Sequence, residues 1–133
     1  MFDLPLISWK DKYETHIETL DEQHKKLVKM INELHDSMKS GASVEVCHKI
    51  LKEVVEYTDY HFKSEEKLFQ KYNYPDAIRH KKEHDDLRAK AIEHLNNYKE
   101  KPLSSSLEVM IFLKEWLNHH ILEVDMKYSS FLK

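Results

Sequence analysis

Apolar residues recur three and four positions apart in four separate stretches of this chain, and no stretch sustains an apolar–polar alternation of period two. That periodicity predicts amphipathic helices rather than strands. The first helix is expected from about Thr19 to Lys39, with an apolar face of Leu20, His24, Leu27, Val28, Ile31, Leu34 and Met38. Gly41, the only glycine, is placed to stop it in a left-handed cap. The second helix should begin after Ser43, an N-cap with Glu45 in the first turn. Its stripe is Cys47, Ile50, Leu51, Val54, Thr58, His61, Glu65, Leu68 and Tyr72. Pro75 is expected to end that region and to serve as the first residue of the third helix, whose stripe is His80, His84, Leu87, Ala91, Leu95 and Tyr98. Pro102 and a serine run should separate the fourth helix, where Ser105 and Glu108 have capping-box spacing. Its stripe is Val109, Met110, Leu113, Trp116, Leu117, His120, Ile121 and Val124.

Four long helices joined by short connections favour an all-α, up-down-up-down antiparallel four-helix bundle. The 133 residues should form one domain, 1–133, with an N-terminal arm over about 1–18 and the bundle over about 19–129. Trp9 and Tyr13 are expected to pin the arm to the bundle, because large aromatic rings rarely stay fully solvated.

Composition narrows the function classes. A formal charge of −3 gives no large basic field, which argues against nucleic acid as a partner. No apolar run approaches the length of a membrane-spanning helix, and the first residues lack the charged and apolar regions of a secretory signal, so a soluble, cytoplasmic protein is expected. Cys47 is the single cysteine; it is expected to be an ordinary buried thiol, and it rules out an intramolecular disulfide and a Cys-rich structural zinc site.

The chemistry lies in the polar residues that interrupt the apolar stripes. His24, His61 with Glu65, His80 with His84, and His120 with Asp125 all fall on or beside them. Residues four apart share a helix face, so two of these pairs each offer two donors from one side. A buried imidazole or carboxylate is costly unless something satisfies it. If neighbouring helices alternate in direction, His24 early in its helix, His61 late, His80 early and His120 late come to one end of the bundle. Five imidazoles and two carboxylates at one level suit a dinuclear metal site with bridging carboxylates, and the oxygen bridges favour iron or manganese over copper. The zinc-protease motif His-Glu-x-x-His is absent. One spacing fits poorly: His120 and Asp125 are five apart, roughly 140° around an ideal helix, so Asp125 must enter from the side or the helix must distort.

At this point the sequence resembles the hemerythrin family, specifically its single-domain bacterial members. The matching stretches are Ile7-Ser8-Trp9, Leu20-Asp21-Glu22-Gln23-His24-Lys25-Lys26-Leu27, His61-Phe62-x-x-Glu65-Glu66, Tyr74-Pro75, His80-Lys81-x-x-His84 and Trp116-Leu117-x-x-His120-Ile121-x-x-x-Asp125. The resemblance implies reversible O2 binding at a non-haem di-iron centre, for oxygen storage, transport or delivery. One iron would take His80, His84 and His120. The other would take His24 and His61 and keep an open position for O2. Glu65 and Asp125 would bridge both irons, together with an oxo or hydroxo group. Leu27, Phe62, Trp116, Leu117 and Ile121 are the candidates for lining the O2 pocket. The chain departs from the family at His16, where a small residue is common; His16 is expected to be a partly exposed surface histidine. Glu66 points away from Glu65 and is expected at the surface.

An O2 carrier without turnover is therefore the leading expectation, with an oxygen-consuming enzyme as a possible recipient. The alternatives are an O2 sensor and a di-iron peroxidase or oxidase. Few interior groups beyond the ligand set look able to donate protons repeatedly, which disfavours the enzyme.

Overall fold

The computed structural model describes residues 17–120, with the backbone alone at 102–105. Trp9, Tyr13, His16, Ile121, Val124 and Asp125 lie outside the described residues. Four α-helices follow one another: α1 Glu18–Lys39, α2 Val44–Tyr72, α3 Ala77–Glu100 and α4 Pro102–His119. The connections are residues 40–43, residues 73–76 and Lys101. Such short links force each helix to return alongside its predecessor. The packed pairs are α1 with α2, α2 with α3, α3 with α4, and α4 back on α1, which closes an all-α four-helix bundle.

The helix ends are built by local chemistry. Gly41 adopts φ 79°. Around it Ala42 N–H donates to the Ser37 carbonyl (3.0 Å) and Gly41 N–H to that of Met38 (3.4 Å), a Schellman closure of α1. Ser43 caps α2 by accepting from Val46 N–H at 3.2 Å. At the far end of α2 the terminator is Asn73 rather than Pro75. Asn73 takes the left-handed conformation at φ 52°, and Tyr74 N–H reaches back to the Phe69 carbonyl at 3.0 Å. The Tyr74 and Phe69 rings, 5.1 Å apart, supply the apolar contact that accompanies this cap. Pro75 thus sits in the turn, and α3 starts at Ala77.

The fourth helix also departs from its expected start. It begins at Pro102, three residues before Ser105, so the serines lie inside the helix and the Ser105–Glu108 spacing does not mark its N-terminus. Proline at the first helical position lacks only an N–H that would have had no helical partner.

The core has two parts. The larger contains Leu27, Val28, Ile31, Leu34, Leu51, Val54, Phe62, Val109, Met110, Leu113, Trp116 and Leu117. The smaller joins Leu20, Phe69 and Tyr74. After Glu65 the buried side of α2 continues at Phe69, four residues on, while Tyr72 is 46% exposed. The expected stripe through Leu68 and Tyr72 therefore drifts one position from the buried face. Cys47 is buried and free.

Candidate metal centre

Between the two apolar clusters lies a layer of buried polar side chains drawn from all four helices. His24 comes from α1, His61 and Glu65 from α2, His80 and His84 from α3, and His120 from the end of α4. His24, His61, Glu65, His84 and His120 have no exposed surface, and His80 is 4% exposed. The imidazoles form a continuous cluster. Ring centres are 4.5 Å apart for His24–His61, 5.6 Å for His61–His120, 5.4 Å for His84–His120 and 4.7 Å for His80–His84. Phe69 packs beneath His80 at 4.6 Å, and Phe62 lies flat against His84 at 3.9 Å and 5°. The layer is thus closed by aromatic rings above and below.

Glu65 is the hub. Its Oε1 is 2.9 Å from His61 Nε2, 2.9 Å from His120 Nε2 and 3.5 Å from His84 Nε2. His24 Nε2 and His61 Nε2 stand 3.0 Å apart. Two metal-capable groupings result, His24–His61–His120 and Glu65–His84–His120, with His120 common to both. Donors bound to one ion at about 2.1 Å and at right angles are about 3 Å apart, which is the separation found here.

The outer nitrogens of two histidines fix which inner nitrogen is free to coordinate. Ser64 Oγ donates to the Tyr60 carbonyl (3.1 Å) and so accepts from Gln23 Nε2 (3.3 Å). The Gln23 amide oxygen is then turned toward His61 Nδ1, 2.7 Å away, and Nδ1 must be the protonated nitrogen. In its neutral form His61 therefore presents the Nε2 lone pair to Glu65. On the other side His84 Nδ1–H donates to Glu66 Oε2 at 2.9 Å, so His84 also presents an Nε2 lone pair inward. Glu65 Oε2 and His84 Nε2 are buried and make no hydrogen bond. Lone pairs of imidazole and carboxylate facing one another in a dry interior repel unless a cation lies between them. The donor set fits metal ions.

Protonation favours the same role. Burial, and next the charge of His61, lower His24 well below its usual pKa. Burial drops His80 to about 3 and His120 to about 4, against opposing attraction from Glu65. Burial alone would raise the Glu65 carboxyl, but His61 and His120 outweigh it and hold it well below the usual range. Near neutral pH these three imidazoles are neutral and the carboxylate is ionised, the forms that bind metal.

Of the seven expected ligands, His24, His61, Glu65, His84 and His120 make up the two metal-capable groupings, His80 packs beside His84 but belongs to neither, and Asp125 falls outside the described residues. Phe62, Trp116, Leu117 and Leu27 are buried in the core adjoining the site; Trp116 stacks on His120 at 5.7 Å and 20°, and Ile121 falls outside the described residues. The sequence reading missed the outer partners Gln23, Ser64, Glu66 and Arg88. Glu66 is not a surface residue in the expected sense: its side chain is 19% exposed and is held between His84 and Arg88. The one available signal was spacing, since Arg88 follows His84 by four and Gln23 directly precedes His24.

Comparison with known proteins agrees with this architecture. Residues 15–132 match the family model described as the hemerythrin HHE cation-binding domain. Bacteriohemerythrin of Methylococcus capsulatus is 32% identical over 130 residues, covering 97% of this chain and 98% of that protein. Myohemerythrin of Theromyzon tessulatum is 35% identical over 131 residues, covering 98% of each. The crystal structure of wild-type hemerythrin superposes with a TM-score of 0.84 at 31% identity, covering 96% of this chain and 98% of the other. The chain belongs to the hemerythrin family. As a member of it, the protein binds O2 at a non-haem di-iron centre.

Proposed function

We propose that the chain binds O2 reversibly and without turnover, as an oxygen store, transporter or delivery protein. The observation that carries this reading is the inward set of imidazole nitrogens gathered around one buried carboxylate. His80, His84 and His120 would hold one iron, and His24 and His61 the other, which keeps a position for O2. Glu65 and Asp125 would bridge the two. When bound, the iron pair, with its oxo or hydroxo group, would supply the electrons that O2 binding requires.

The protein's own part is to orient and to exclude water. Gln23 and Glu66 fix the tautomers of His61 and His84 through the bonds described above. Leu27, Phe62, Trp116 and Leu117 adjoin the site as apolar bulk, and Ile121 is assigned to the same lining. Neutral imidazoles give iron less negative charge than a carboxylate-rich set, so bound O2 is held rather than cleaved.

Residues 1–133 are read as one domain, supported by a family match that spans 15–132. Among the described residues no helix is long and apolar enough to cross a membrane. A cytoplasmic location, and an oxygen-consuming enzyme as recipient, complete this reading.

The test is spectroscopic. The purified protein is analysed for metal, reduced without air and then exposed to air. Two irons per chain and a visible charge-transfer band that fades on deoxygenation and returns with air support the carrier. Irreversible bleaching with product release overturns it in favour of an oxidase or peroxidase. A colourless zinc protein overturns the di-iron reading altogether.

A further inference from the structure

The two histidines whose outer nitrogens are fixed have unlike partners. Behind His61 stands a neutral amide, Gln23. Behind His84 stands a carboxylate, Glu66, and a carboxylate accepting an Nδ1–H pushes electron density through the ring onto Nε2. That push is countered. Arg88 donates from Nη2 to the same Glu66 oxygen that His84 uses, Oε2, at 3.0 Å. Its Nε bonds Asp59 at 2.7 Å and its Nη1 bonds Asp85 at 2.8 Å. Three donors of one planar fork are thereby fixed by α2 and by its own helix, and the guanidinium also lies 5.3 Å from the Phe62 ring that stacks on His84. The Arg88 side chain is only 19% exposed, so its charge is less screened than that of a surface pair. Burial works against that charge, but Glu66 and Asp59 more than offset it, raising the Arg88 pKa.

We propose that Arg88 is a positioning residue of the di-iron centre: it clamps Glu66 onto His84 and balances the carboxylate's charge, keeping His84 an ordinary imidazole donor and the centre in its reduced, O2-binding state. The inference rests on the reading of His84 as an iron ligand. Without the guanidinium, Glu66 would be a buried, unbalanced charge, His84 would donate more strongly, and the ferric state would gain. With an amide in place of Glu66, the opposite follows. A residue that merely braces the fold has no reason to give opposite signs.

The experiment measures the midpoint potential of the iron pair and the autoxidation rate of the oxygenated protein. It adds the cobalt(II) affinity of the iron-free chain as a readout independent of O2. Arg88→Met is expected to lower the potential, to speed autoxidation by about 10-fold and, because His84 then donates more strongly, to tighten cobalt binding by about 10-fold. Glu66→Gln should raise the potential and slow autoxidation, and Arg88→Lys should fall between Arg88→Met and the parent, since lysine restores the charge but not the fork. Unchanged values in Arg88→Met, or shifts of the same sign in Arg88→Met and Glu66→Gln, overturn the proposal. If Arg88→Met does not retain iron, the double variant with Glu66→Gln decides: recovery of iron and of a near-parental potential supports charge balance, and no recovery overturns it. His84→Ala separates the underlying assignment. Two normally bound irons in that variant remove His84 as a ligand, whereas loss of iron there with unmoved Arg88 variants rejects only the role given to Arg88.

Discussion

Phe62 is the residue whose loss the structure prices most directly. It is fully buried, its ring is parallel to His84 at 3.9 Å, and it meets His120 at 5.2 Å and Trp116 at 5.9 Å. Truncation to alanine removes a whole ring from the junction of α2, α3 and α4, where the surrounding helices can close only partly. Phe→Ala changes of this kind cost about 3–5 kcal/mol, transfer and cavity contributions together. A domain of this size has about 5–15 kcal/mol of stability, so the iron-free Phe62→Ala chain should still fold but with much of its margin gone. Phe62→Leu keeps most of the volume and should cost about 1.5 kcal/mol or less. The second consequence is chemical. A cavity beside imidazole nitrogens has polar partners for a water molecule, unlike a purely apolar void. Phe62→Ala should therefore take up iron but autoxidise faster than Phe62→Leu. Urea unfolding of the iron-free proteins followed by far-UV circular dichroism gives the first quantity, and the decay of the oxygenated spectrum the second. A Phe62→Ala chain within about 0.5 kcal/mol of the parent, well under that range, refutes the packing argument. So does a Phe62→Leu chain as damaged as Phe62→Ala.

Other changes probe the remaining parts of the site. His61→Ala should lower iron to about one per chain and abolish O2 binding, because that ion then keeps His24 as its single histidine beside the shared bridges; an unaltered O2 titration removes His61 from the centre. Leu117→Ala, at a position 1% exposed, should cost about 2–5 kcal/mol and speed autoxidation while iron content holds. An unchanged rate excludes Leu117 from the pocket lining. For the iron-free chain, pH has a definite sign. His120 and His80 are depressed by burial to about 4 and about 3, below the 6.5 of an unfolded histidine. The unfolded chain then binds more protons in acid, so full stability is present above pH 6.5 and is lost as pH falls toward 4, by on the order of 1–2 kcal/mol per histidine at pH 5. Urea midpoints measured from pH 7 to 5 that stay level would contradict this.

The two outer partners define a gradient across the pair of metal positions. His61 is backed by a neutral amide that is itself tied to Ser64, and His84 by a carboxylate tied to an arginine. The amide lies on the side assigned to O2, where a modest donor favours release as well as capture. On the assignment proposed above, the ion pair would lie on the side of the coordinatively full iron, where the fork of Arg88 fixes the orientation of His84.

The sequence alone determined the four helices, their order and, apart from the end of α2 where Phe69 replaces Tyr72, the residues carried inward, because each of these follows from short-range rules. Period 3.6 selects the buried face, a glycine with positive φ stops α1, and Ser43 opens α2. The common level of His24, His61, His80 and His120 was also legible, since helix length and alternation fix depth along a bundle. Three things were not. The true stop of α2 lay in Asn73, whose left-handed conformation is a choice made with Tyr74 and Phe69 already packed. The start of α4 at Pro102 depended on a single-residue link that the neighbouring helices impose. Above all, Glu66 read as surface because azimuth on its own helix turns it away from Glu65. Only the packing of α3 against α2 brings His84 and Arg88 to that carboxylate and ties an outward-facing acid to a histidine of the buried cluster. A side chain's direction is set within its helix, but its partner is set by the helix that comes to lie beside it.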